Sequence, residues 1–266
     1  MLKVISEDRA LGSALMFPHR HPQASPKFHV DIMDLWRSQD ENVLIEAFRE
    51  GAKSTLSEEF LLLEACFGNF GYCILLGETY TKACQRLEAI KHEATKNMKL
   101  HSMFGKLRVA GNVWNENQIE LANGVMIEAH GWEEELRGFK WHDLRPDRAY
   151  LDDIENRTSV KDKTAVDLTM KKIYLELMPA MDKELGKIRV TGTPLGGRLH
   201  DRPAARGSWL GERVLSDLQR RYRRPGDGGH LAGSVSDGLG PEEARRVRAR
   251  RPATGLHAGI HAASDR

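Results

Sequence analysis

Apolar and polar positions recur with two different periods along the first 195 residues, and the changes of period mark the elements. Residues 1–27 carry neither period, because Pro18, Pro22 and Pro26 break any helix, and this segment reads as irregular. From Phe28 to Ser38, Val30, Met33, Leu35 and Trp36 recur at helical spacing. Val43 to Ala47 is a short apolar strand, and Ser54 to Phe67, rich in Leu and Glu, reads as a helix ending near Gly68. Gly71 to Gly77 enclose a continuous apolar run that suits a buried parallel strand. Thr81 to Met98 form an amphipathic helix with Thr79 or Thr81 as its N-cap. Gln118–Ala122 and Val125–Ala129 alternate around Asn123-Gly124, which predicts a hairpin. Arg148 to Asp153 is a strand ending in acids, Asp162 to Met181 is helical, and Lys187 to Thr191 is a last strand. Strands alternating with helices predict an α/β fold, a mainly parallel sheet flanked by helices with the hairpin as an antiparallel addition.

Beyond Leu195 this patterning fades. There is no Lys, Asn, Phe, Met or Cys, and Ile260 is the sole isoleucine, while Arg, Gly, Ala, Pro and His dominate. Apolar periodicity persists only from Trp209 to Leu218, which reads as a short helix. The organisation expected is therefore a domain over 1–195 and an Arg/Gly/Ala-rich disordered tail over 196–266. Two origins compete for the tail: a basic arm that binds nucleic-acid phosphates, or the product of a shifted reading frame in a GC-rich gene. The joint loss of Lys and Asn favours the second. A core ending at 195 would also leave a sheet edge open to aggregation.

Composition narrows the class. The 266 residues are 40% hydrophobic and 29% charged with a net charge of +2, so overall charge gives no sign of nucleic-acid binding. Cys66, Cys73 and Cys84 have no zinc spacing and read as buried free thiols. No apolar segment is long enough to cross a membrane, and a soluble cytoplasmic setting without membrane contact is expected.

The chemistry concentrates where predicted strands end. After the strand at 43–47 comes a turn of small residues, Ala47-Phe48-Arg49-Glu50-Gly51-Ala52, then Lys53-Ser54-Thr55 and a helix. This is the layout of a phosphate-binding loop, whose backbone N–H groups and helix N-terminus cradle phosphates. Lys53 would reach the β- and γ-phosphates and Ser54 would hold Mg²⁺. Gly is usual at the positions of Ala47 and Ala52; here the glycine is Gly51. Arg49 either stabilises charge on the γ-phosphate or pairs with Glu46 or Glu50. Asp152, after an apolar strand, suits the phosphate-bound metal. A carboxylate beside it could deprotonate the attacking water; Asp153 and Glu155 are both candidates, and the sequence does not decide between them. His19-Arg20-His21 reads as a solvated loop rather than a metal site, and Trp114, Trp132 and Trp141 as packing around the hairpin rather than base-stacking platforms.

Together these pieces resemble the ATPase domain of the tailed-bacteriophage terminase large subunit, the DNA-packaging motor. The resemblance rests on Ala47–Thr55 with Arg49 four residues before Lys53, on Leu136-Arg137-Gly138 and Arg145-Pro146-Asp147, on Tyr150–Glu155, and on Thr191-Gly192-Thr193-Pro194. Pro26–His29 is similar to the segment that lies near the adenine. The resemblance covers roughly 15–195. It implies a P-loop NTPase of the additional-strand class, ATP hydrolysis with Mg²⁺, and a ring of identical subunits on the portal protein. It also implies a small-subunit partner, double-stranded viral DNA as the load, and the cytoplasm of the bacterial host as the setting. It makes residues 47–55 and Thr193 nucleotide contacts, Thr193 a sensor of the γ-phosphate, Ser54 and Asp152 the metal residues, Arg49 the loop arginine, and puts Asp153 ahead of Glu155 as general base. The nuclease domain that such subunits carry has no counterpart in the tail, and no nuclease activity is expected. Two other functions fit the same motifs: a helicase-like P-loop ATPase, and a truncated, catalytically silent product that binds nucleotide or DNA.

Overall fold

A computed structural model describes residues 1–39, 42–47, 50–154, 168–169, 171–192 and, as backbone, 211–214. The chain divides into two units, Met1–Arg221 and Tyr222–Arg266, and the described residues all lie in the first. The expected boundary at 195 falls outside the described residues, as does most of the segment expected to be disordered.

Among the described residues seven strands form one sheet: β1 (Asn42–Glu46), β2 (Tyr72–Gly77), β3 (Gln118–Glu120), β4 (Met126–Gly131), β5 (Arg148–Asp152), β6 (Lys187–Gly192) and β7 (Gly211–Val214), in the order β3-β4-β2-β5-β6-β1-β7. β1, β6, β5, β2 and β4 run parallel, and β3 and β7 are antiparallel at the two edges. β6 thus lies between β1, which precedes Lys53, and β5, the strand that ends in Asp152. That inserted strand is the mark of the additional-strand P-loop class.

The predicted strands and hairpin are present. Gly124, at φ +81, supplies the left-handed turn between β3 and β4. β2 is buried on both faces, as its unbroken apolar run required. The helices are α1 (Leu2–Glu7), α2 (Arg9–Met16), α3 (Lys27–Arg37), α4 (Lys53–Cys66), α5 (Tyr80–Lys96), α6 (Met98–Phe104) and α7 (Met178–Ala180), the last continuing a π-helical turn over Ile173–Leu177. The Thr79 side chain caps α5, accepting from the Lys82 N–H at 3.3 Å. Instead of one helix running to Met98, Asn97 ends α5 and caps α6, its Oδ1 accepting from the N–H groups of Lys99 and Leu100.

Two expectations are corrected. Residues 1–27 are not irregular: α1 and α2 precede the three prolines, and buried polar contacts hold them in place. Arg9, 2% exposed, pairs with Glu64 at 2.6 Å and lies 4.6 Å from the centre of the Phe67 ring, and Ser13 donates to Glu59. Within the segment expected to be disordered, and in place of the short helix read from the periodicity at 209–218, Gly211–Val214 is strand β7. It pairs with β1 from Val43↔Val214 to Glu46↔Gly211. The open N–H and C=O groups of a sheet edge can draw in a strand whatever its local helical pattern, and here β7 covers the edge of β1.

The core lies between the sheet and α3, α4 and α5. Trp36, Phe60 and Tyr150 meet there with ring centres 5.3 to 6.4 Å apart. Arg189 of β6, 2% exposed, donates to the carbonyls of Trp36 at 2.9 Å and Ser38 at 3.0 Å, tying the sheet to the end of α3. Cys73 and Cys84 are buried and Cys66 is half-buried, all three as free thiols, and burial pushes the Cys66 thiol up to about 12. Among the described residues no helix is long and apolar enough to cross a membrane.

Candidate phosphate and metal site

α4 begins at the carboxyl end of β1 because the chain turns sharply through a loop of unusual backbone. Glu50 (φ +64) and Ala52 (φ +53, ψ +21) are both left-handed. An L-residue pays for that conformation with a close approach of its Cβ to the next carbonyl. This is the physical reason that glycine is usual before the lysine of such loops. Ala52 is the N-cap of α4 yet offers no side-chain acceptor, so it caps none of the first-turn amides itself. Such an end favours an anion. Lys53, 6% exposed, folds back across the loop and donates from Nζ to the Ala47 carbonyl at 3.0 Å. His29 of α3 buttresses the loop from outside. Its Nε2 lies 3.1 Å from the Gly51 carbonyl and therefore carries the proton. Burial lowers the His29 pKa, with His21 adding to the effect and the Gly51 carbonyl opposing it.

Three elements converge on Asp152, which is 3% exposed at the end of β5. Ser54 of α4 donates from Oγ to Oδ2 at 2.9 Å. Thr191 of β6, the register partner of Asp152, donates from Oγ1 to Oδ1 at 2.6 Å. Arg86 of α5 pairs with Oδ2 from Nη2. The next residue, Asp153, is half-buried and left-handed at φ +45, with its N–H donating to the Thr191 carbonyl at 2.9 Å. A left-handed non-glycine residue is a local strain of the kind that recurs at working sites.

A second layer of charge lies behind Arg86. Glu58, one turn after Ser54, is 3.7 Å from Arg86 Nη1 and accepts from Arg20 Nη1 at 3.2 Å. Burial raises the Glu58 carboxyl to about 7 against the pull of the two arginines, and Asp152 adds to the rise. Arg20 also meets Glu93 at 3.3 Å and Glu59 at 3.8 Å. The expectation of a solvated His19-Arg20-His21 loop is corrected here. His19 lies 2.8 Å from Glu93 and His21 lies 2.8 Å from the buried Glu59. The fold supplies the acids that the neighbouring sequence lacks.

Of the residues singled out from sequence, the fold brings Ala47, Glu50, Gly51, Ala52, Lys53, Ser54, Asp152 and Asp153 to one end of the sheet, with Thr55 on the first turn of α4. Phe48, Arg49, Glu155 and Thr193 lie outside the described residues. Trp114 packs at the hairpin as expected, bridging to Ile119 with Arg108 over its ring at 5.0 Å, whereas Lys172 lies over Trp132 at 5.2 Å and Trp141 bridges to Leu144. Sequence reasoning missed Thr191 as a partner of Asp152, and it missed Arg86. A usable signal existed for Arg86, since a helix that starts where β2 ends lays its first two turns over the carboxyl edge of the sheet.

Among the described residues no three His, Cys, Asp or Glu side chains group as a metal cage. One carboxylate and one hydroxyl are instead the hard-oxygen set that suits Mg²⁺ carried in with phosphates and water. The residues present fit that group.

The chain is similar to the large terminase of bacteriophage HK97, seen in a crystal structure, at 16% identity and a TM-score of 0.42. The match covers 63% of this chain and 33% of that one, about a third of that protein's length. No family model matches the chain. No curated protein matches it.

Proposed function

We propose that this chain is the ATP-hydrolysing motor domain of a viral DNA-packaging terminase, driving double-stranded DNA into a procapsid. The observation that carries the hydrolase reading is the meeting of Ser54 and Thr191 on the Asp152 carboxylate, beside a loop from which Lys53 opens α4. The amides of the first turn of α4 and the Lys53 ammonium would hold the β- and γ-phosphates, and Ser54 and Asp152 would hold Mg²⁺. When bound, the metal neutralises charge that develops on the phosphate oxygens. Thr191 fixes the orientation of Asp152 by holding its other oxygen. Asp153, turned out of the strand by its left-handed backbone, would take the proton of the attacking water, with Glu155 as the other candidate. Arg49 would stabilise charge on the transferring phosphoryl group, and Thr193 would sense the γ-phosphate. The DNA load, the portal and small-subunit partners, the ring and the host cytoplasm rest on the resemblance of motifs between Ala47 and Pro194.

The test is Mg²⁺-dependent ATP hydrolysis by the purified chain, with and without duplex DNA, beside Lys53→Ala. Turnover that disappears in Lys53→Ala supports the hydrolase, and stimulation by duplex DNA supports the motor. Duplex unwinding would favour the helicase-like reading. A folded chain that binds nucleotide without turning it over would leave the catalytically silent product in its place.

A further inference from the structure

The residue that closes the Asp152 cluster is itself a cation. Arg86 Nη2 pairs with Oδ2, the same oxygen that accepts from Ser54. A divalent ion held by Ser54 and Asp152 needs that oxygen too. A guanidinium and a divalent cation on one buried carboxylate oxygen repel each other, and the low local dielectric makes the conflict costly. Arg86 has a second partner at hand. Its Nη1 is 3.7 Å from Glu58 Oε1, and the other oxygen of Glu58 is held by Arg20 at 3.2 Å. Glu58 stands on α4 four residues after Ser54, so the acceptor and the metal residue share one rigid helix.

We infer that Arg86 is a positioning residue that guards the metal seat, holding the Asp152 carboxylate until a divalent cation takes it and then transferring its guanidinium to Glu58. The inference rests on the phosphate and metal reading of this site given above. No bond is made or broken; one ion pair is exchanged for another. The consequence is a coupling between metal and arginine. Metal binding costs the Arg86–Asp152 pair, and Glu58 returns part of that cost. A purely structural pair, one that only glues α5 to the sheet, would change stability and leave the preference for metal-loaded nucleotide untouched.

The experiment uses the full chain and a fluorescent ADP analogue, titrated in EDTA and in Mn²⁺. The readout is the ratio of the two dissociation constants, which isolates the metal's contribution from that of the phosphates. Removing a competing cation from a carboxylate is worth at least about one pK unit, so Arg86→Gln should raise the ratio on the order of tenfold. Arg86→Lys, which keeps the charge, should leave it near the wild-type value, and Glu58→Gln, which removes the acceptor, should lower it. An Arg86→Gln ratio at or below wild type in a chain of native circular dichroism overturns the inference, as does an equal rise in Arg86→Gln and Arg86→Lys. If Arg86→Gln does not fold, Glu58→Gln decides, and an unchanged ratio there overturns it. A wild-type chain that binds metal-loaded nucleotide, loses it in Asp152→Asn, yet shows no rise in Arg86→Gln refutes the guard alone. A wild-type chain that binds the nucleotide in neither condition removes the site reading and the guard together.

Discussion

Ala52 carries a measurable strain, and its sign can be turned into an experiment. The residue is exposed, at φ +53 and ψ +21, and it precedes the first turn of α4. The left-handed conformation costs an L-residue about 1–2 kcal/mol through its Cβ. Ala52→Gly removes that Cβ. The greater freedom of glycine in the unfolded chain takes back roughly 0.5–1 kcal/mol. Glycine is also a better N-cap than alanine, so the variant should be more stable by about 0.5–1 kcal/mol. At this chain size that is a rise in Tm of about 2 °C. The control is the same substitution where the backbone is right-handed. Ala89 lies inside α5, and Ala89→Gly should lose about 1 kcal/mol. Urea unfolding followed by circular dichroism reads both variants. The opposite signs are the test, because any general effect of a smaller side chain acts in the same direction at both positions. A destabilised Ala52→Gly would mean that the left-handed turn is not what the loop adopts in solution, and the account of why α4 starts at Lys53 would fall with it.

Two further outcomes follow from the opposite end of the sheet and from β4. Asp147, 6% exposed, accepts from the N–H of Gly71 at 2.9 Å and of Tyr72 at 3.2 Å, tying the start of β2 to the start of β5. Asp147→Ala should cost about 3 kcal/mol in urea unfolding, since two donors lose a charged acceptor. The nucleotide affinity of the folded protein should not move, because five residues of strand put Asp147 roughly 16 Å from Asp152; a matching drop in affinity would place Asp147 in the site instead. His130 of β4 lies 2.8 Å from Glu134 and 3.0 Å from Glu128, the latter a coulombic contact off the hydrogen-bonding direction. Burial alone would lower the His130 pKa, but the two carboxylates outweigh it and raise it above 6.5; Glu128, also opposed by burial, is lowered below 4.5 by His130, Tyr72 and Gln118. The His130 contribution is therefore complete below the ordinary pKa of 6.5 and is lost as pH rises through the raised value, while that of Glu128 is lost as pH falls below 4.5. Unfolding free energies at pH 6 and pH 9 should show a smaller pH dependence in His130→Gln than in wild type, and equal slopes would refute the pairing.

Much of this architecture could be read from the sequence because it is written locally. A strand, a turn of small residues and Lys53-Ser54 occupy 13 consecutive positions, 42–54. An apolar run that ends in Asp152 needs only its own period to be seen, and Asn123-Gly124 marks its hairpin without help from the fold. What escaped was written across long separations. Arg9 and Ser13 find their acids on α4, and the absence of a carboxylate next to His19-Arg20-His21 was a poor guide, since Glu59 and Glu93 arrive from α4 and α5. The short α1 and α2 lack the length to announce themselves by period, and their stability lies in these remote partners.

The same distinction separates the two kinds of residue in the site. Lys53, Ser54 and Asp152 could be singled out because the proposed phosphate-bound metal would demand certain groups at strand ends, and the strands fix where those ends are. The start of α5 could place Arg86 near those ends but could not name its partner, because what singles Arg86 out is its pairing with a carboxylate 66 residues further along the chain. Ser54 and Thr191 satisfy Asp152 as neutral donors, which can remain when a cation arrives. Arg86 cannot remain on the same oxygen on those terms. On the proposed reading, the site as folded therefore holds one more positive charge than a metal-loaded form of it would keep on Asp152, and the location of Glu58 on the helix that also carries Ser54 would give that charge somewhere to go. A motif search reports the groups that bind. Only the fold reports which of them must first let go.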